Sequence, residues 1–81
     1  MLKLTTKSKL NPGEVVKKAV AYFGPGGYGL TVTNKTDTCA SFEGGGGGVE
    51  ITTCPEGKGT SVDFETREWE NQVKEFARSL K

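Results

Sequence analysis

Five consecutive glycines, Gly44 to Gly48, stand in the middle of the stretch TCASFEGGGGGVEITTC, Thr38 to Cys54. On either side of them apolar and polar residues alternate, with Ala40 and Phe42 before the run and Val49 and Ile51 after it. A period of two marks a strand with one buried face. A glycine run weakens any regular element it enters, so here it reads as a reversal between two strands. The central part of this chain is therefore a hairpin, and the remaining segments have to pack on a sheet. Five glycines in a row point to a length-tolerant loop rather than to close approach by another chain.

The flanking segments follow the same logic. Leu2 to Thr6 alternates and predicts a short strand. Asn11-Pro12-Gly13-Glu14 is a helix start, with asparagine as cap, proline in the first turn and a glutamate able to reach back. Val15, Val16, Ala19, Val20 and Phe23 share one face of a helix over Pro12 to Phe23. Gly24 is expected to end it in the left-handed region, and Pro25 forbids continuation. The glycine-rich loop that follows leaves a helix C-terminus and enters a strand, the reverse of a phosphate loop, and it is read as a connector. Strands are predicted from Tyr28, with Leu30 and Val32 inward, and around Val62 and Phe64, with reversals at Asn34 to Asp37 and Pro55 to Gly59. Arg67 to Leu80 predicts a second helix capped by Thr66, with Trp69, Val73, Phe76, Ala77 and Leu80 inward. Glu68 and Glu70 at its start, and Arg78 and Lys81 toward its end, suit the helix dipole.

The predicted order is β-α-β-β-β-β-α within a single α+β domain, residues 1–81, since a chain this short holds one core. Every strand and helix is amphipathic, which implies two layers: a five-stranded, mainly antiparallel sheet with both helices on one face and the other face exposed to solvent. Pairing the first strand with the last gives the expected sheet order 1-5-4-3-2.

Matching apolar partners across the hairpins gives a register for the open face. Phe42 opposite Ile51, Ile51 opposite Val62 and Val32 opposite Ala40 set two lateral rows. One is a hydroxyl ladder of Thr31, Ser41, Thr52 and Ser61; the other is a carboxylate row of Glu43, Glu50 and Asp63. Like charges side by side destabilise, so the acids ask for a basic partner, a hard cation, or lysines of the chain folding over them. A flat face rarely encloses the oxygens calcium needs, and no metal site or cofactor is expected. The candidate partner-binding residues are Thr31, Ser41, Glu43, Glu50, Thr52 and Asp63. The same register puts Cys39 opposite Cys54, within reach of a disulfide, whereas a reducing compartment would keep both as thiols. Zinc is not expected without further ligands, and the chain has no histidine.

The net charge is +1, but Met1 to Lys35 carries six lysines against Glu14 alone, and Thr36 to Glu65 carries six acids against Lys58 alone. Nucleic-acid binding through the basic N-terminal third, with Lys7, Lys9, Lys17 and Lys18 on phosphates, is the alternative reading. It lacks interleaved aromatics and faces repulsion from the acidic sheet. Without histidine, and with its acids on an unwalled face, the chain is not expected to be an enzyme. No run approaches the roughly 18 apolar residues of a membrane span and the N-terminus shows no secretory pattern, which predicts a cytoplasmic protein without membrane contact. The expected function is a non-catalytic interaction module that presents its open face or an edge strand to a protein partner or to a second copy of itself.

Overall fold

In the computed structural model, which describes residues 2 to 80, the elements run β1 (Leu2–Ser8), α1 (Pro12–Phe23), β2 (Thr31–Lys35), β3 (Cys39–Gly44), β4 (Gly47–Glu56), β5 (Gly59–Arg67) and α2 (Glu70–Ser79). The five strands form one antiparallel sheet in the order β1-β5-β4-β3-β2, the predicted topology. Helix α1 lies over β3 and β4, and α2 over β5 and β1, so both helices share one face. Lys81 lies outside the described residues.

The core is the set of apolar residues that periodicity assigned inward. Val15, Val16 and Ala19 of α1, Phe42, Val49, Ile51, Val62 and Phe64 of the sheet, and Val73 and Phe76 of α2 are all buried. Phe23 ties the layers together. Its ring lies 5.7 Å from Phe42 on the sheet and 5.4 Å, edge to face, from Phe76 on α2. Offset and edge-on aromatic contacts add to the burial they accompany. Helix α1 begins as its sequence requires, with Asn11 Oδ1 accepting the Glu14 amide at 2.9 Å.

Three local expectations are corrected. Gly24 caps α1 in an extended conformation (φ −75°, ψ −166°) and not a left-handed one; its amide bonds to the Val20 carbonyl, and the reversal is spread over the residues that follow. Tyr28 lies in that reversal, 45% exposed, and β2 begins only at Thr31. Thr66 does not cap α2. It belongs to β5, where pairing with Leu2 on one side and Val49 on the other holds it in the ladder, and its inward hydroxyl donates to the Gly48 carbonyl at 2.8 Å. The chain turns instead at Glu68, in the left-handed region at φ 69°, and α2 starts after Trp69.

The glycine run is not a tolerant loop either. Gly44 and Gly47 are paired, which leaves Gly45 and Gly46 as a two-residue turn with φ of 60° and 83°. Positive φ at both positions is what a hairpin turn of this length demands, and glycine meets it without strain. Close approach constrains the run as well. A Cβ on Gly44 would lie 2.7 Å from the Leu30 side chain, one on Gly45 would lie 2.9 Å from the Trp69 ring, and one on Gly47 would collide with the Arg67 carbonyl. Trp69 Nε1 completes the lock by donating to the Gly44 carbonyl at 3.0 Å.

Gly47→Ala is therefore expected to destabilise the fold by about 1–3 kcal/mol, the usual cost of overpacking. Gly26→Ala, with no heavy atom near the added carbon, should stay within about 0.5 kcal/mol of the parent. Urea unfolding midpoints for the two variants check the contrast.

Candidate functional site

All six candidate residues, Thr31, Ser41, Glu43, Glu50, Thr52 and Asp63, project from the sheet face opposite the helices. Alternation is the reason: their strand neighbours Val32, Ala40, Phe42, Val49, Ile51, Val62 and Phe64 take the inward positions.

The rows drawn on that face are different from those expected. Because the two-residue turn falls at Gly45-Gly46, Phe42 faces Val49 and Ala40 faces Ile51. In the next hairpin Ile51 faces Phe64, and Val32 faces Phe42 before a bulge at Thr33 shifts the pairing. Each hairpin is thus displaced by an even step. Up to the bulge every side chain stays on its face but acquires new lateral neighbours, and past it Asn34 turns to the outer face opposite Ser41.

The predicted carboxylate row separates into three. Glu43 lies between Thr31 and Gly48, with Arg67 beyond; Glu50 lies between Ser41 and Glu65; Asp63 lies between Thr52 and Thr5. Asp63 accepts the Thr5 hydroxyl at 2.7 Å. The hydroxyl ladder is likewise divided, with Thr31, Ser41, Thr52 and Ser61 at four levels. Among the described residues no three acidic or cysteine side chains converge as a metal would require. Cys39 faces Thr52 and Cys54 faces Ser61, so the two cysteines are not opposed, and both are free thiols.

What the true register brings together is a groove of about 330 Å³ on the outer face, at the hairpin end of the sheet. Gly48 contributes no side chain at an outward position, and around that gap stand Asn34, Glu43, Glu50, Glu65 and Arg67. Glu50 and Glu65 are directly opposed, a like-charge pair of the kind that costs stability. Lys3 relieves it in part, its ammonium lying 3.6 Å from Glu65 across an exposed contact. Among the described residues Glu43 and Glu50 form no ion pair. Sequence reasoning missed Gly48, Glu65 and Arg67 as parts of one site. The rule that consecutive glycines favour a two-residue turn was an available signal, but a run of five leaves the position of that turn, and so the register, open.

On the helical layer, Tyr22 stacks on Phe76 at 5.1 Å, and its hydroxyl lies 3.5 Å from Glu75. Burial, reinforced by neighbouring Tyr28 and Glu75, pushes its phenol up to about 12.

No known protein family, curated protein or solved structure matches this chain. No described helix is long and apolar enough to cross a membrane.

Two measurements follow from these placements. Thiol titration of the native chain without reductant is expected to find two reactive groups, with exposed Cys54 faster than half-buried Cys39. For Tyr22, the folded state keeps its proton between about pH 10 and 12 while the unfolded state loses it, so its contribution to stability is present below pH 10 and lost as the pH rises. Tyr22→Phe should flatten that alkaline loss, read from urea midpoints taken across the same range.

Proposed function

We propose that the protein is a non-catalytic interaction module that binds a basic segment of a protein partner on the outer face of its sheet. The observation that carries this reading is the groove over Gly48. A sheet position without a side chain is bordered by Glu43 and Glu50, which have no ion-pair partner among the described residues, and by the opposed Glu50 and Glu65. Keeping like charges side by side on an uncovered face costs stability, and a lysine or arginine laid between them would recover it. Arg67 at the hairpin end offers a donor fork to a partner carboxylate or carbonyl, which would orient the segment. The absence of histidine and the open setting of the acids favour binding over proton-transfer chemistry.

The edge strand β2 is less suited to pairing. It has five residues and is bulged at Thr33, a device by which sheets discourage edge-to-edge association. The nucleic-acid alternative draws little support. Lys7 sits 3.1 Å from Glu56 on the acidic face, while Lys17 and Lys18 belong to α1 in the other layer.

Titration of isotope-labelled protein with a lysine-rich peptide tests the proposal. Saturable, salt-sensitive shifts are expected at Glu43, Gly48, Glu50 and Arg67. Glu43→Gln/Glu50→Gln should weaken binding about tenfold while leaving stability within about 0.5 kcal/mol or raising it. Shifts confined to the helices, or none at millimolar peptide, would count against the outer face.

A further inference from the structure

The free edge of β1 carries a second and independent surface. All seven residues of β1, Leu2 to Ser8, pair with β5 without a bulge, and on the other side the strand has no neighbour among the described residues. An unbulged edge leaves alternate amides and carbonyls open to another extended chain.

Between this edge and α2 lies a groove of about 270 Å³ lined by Leu4, Thr5, Thr6, Lys74, Ala77 and Arg78. Thr6 is 7% exposed, and its Oγ1 is a buried side-chain atom with no hydrogen-bond partner. The contrast with the other buried hydroxyls is informative. Thr53, Thr60 and Thr66 each donate to a backbone carbonyl at 2.7–2.8 Å, and Ser8 accepts the Leu10 amide at 3.1 Å. Buried polar groups are almost always satisfied, and Thr6 is one of the residues that line the groove.

The two charged side chains that line the groove are both basic. Lys74 and Arg78 are one turn apart on α2, both exposed, and neither forms an ion pair among the described residues. Glu75, between them in sequence, is turned toward Tyr22 on α1. On the outer side of the same strand, Lys3 and Lys7 are held only by exposed contacts to Glu65 and Glu56.

We propose that the β1 edge and α2 form a strand-addition site for an extended acidic segment of a partner protein. Backbone hydrogen bonds to β1 supply the pairing. Acidic side chains on the inner face of the added strand meet Lys74 and Arg78, a small apolar one rests on Leu4 and Ala77, and the added chain brings polar groups toward Thr6. A second copy of β1 fits poorly. Paired antiparallel about Thr5, it would set Lys3 of each chain against Lys7 of the other.

The test uses the full isotope-labelled chain and a synthetic peptide of about eight residues with threonine on one strand face and glutamate, valine and glutamate in turn on the other, long enough to span β1 at roughly 3.4 Å per residue. Saturable binding is expected, with slowed exchange at alternate β1 amides, shifts at Lys74, Ala77 and Arg78, and affinity that falls with salt. Lys74→Glu/Arg78→Glu, at exposed positions outside the core, should weaken this peptide about tenfold or more and gain affinity for its lysine counterpart. The proposal is overturned if the acidic peptide and its lysine counterpart slow the same β1 amides to the same extent, or if protection by the acidic peptide falls on β2 or the Gly48 groove. It is overturned equally if no binding saturates at millimolar peptide, or if β1 amides slow on raising the protein concentration alone.

Discussion

The glycine hairpin seated against Trp69 is the contact on which the rest of the molecule depends. Gly44 and Gly45 let the β3–β4 turn close onto Leu30 and the indole, and the indole nitrogen bonds back to the Gly44 carbonyl. Trp69 is also the residue from which α2 departs, so one contact sets both the end of the sheet and the start of the second helix. Gly47, pressed against the Arg67 carbonyl, carries the same constraint into β5. Conformational freedom explains Gly45 and Gly46, whereas lack of room explains Gly44 and Gly47.

From that closure follows the division of labour between the two faces. The inward face is completed by aromatic packing through Phe23 and by threonines whose hydroxyls bond to backbone carbonyls where strands meet loops or neighbouring strands. Neither α1 nor α2 lies over the outward face, and its charge is set by lateral neighbours. Register therefore governs its electrostatics. An even displacement along a strand leaves the core untouched yet replaces a continuous acid row by an opposed Glu50–Glu65 pair, a Thr5-bonded Asp63 and an empty position at Gly48.

Two surfaces of opposite sign result, with Lys3 and Lys7 of β1 at their boundary. The groove over Gly48 is bordered mostly by carboxylates, and the groove under the β1 edge by ammonium and guanidinium groups. A net charge of +1 conceals this separation, because the two patches nearly cancel. The two proposed partner segments, one basic and one acidic, would therefore not compete for one site.

Element types, chain order and the inward set were legible in the residues, because periodicity reports parity: Phe42 and Ile51 point inward in any register that keeps the core dry. The Asn11 cap and the pairing of β1 with β5 were legible for similarly local or topological reasons. Thr66 was misread as a cap because its residue type suits one, while ladder pairing on both sides of β5 supplied more than a cap would have. Cys39 and Cys54 were set opposite one another by a hairpin counted two residues too long. By itself the sequence determined which face each side chain takes. Only the tertiary structure decided who stands beside whom, because that depends on where each turn closes, and here Trp69, Leu30 and the Arg67 backbone chose the position.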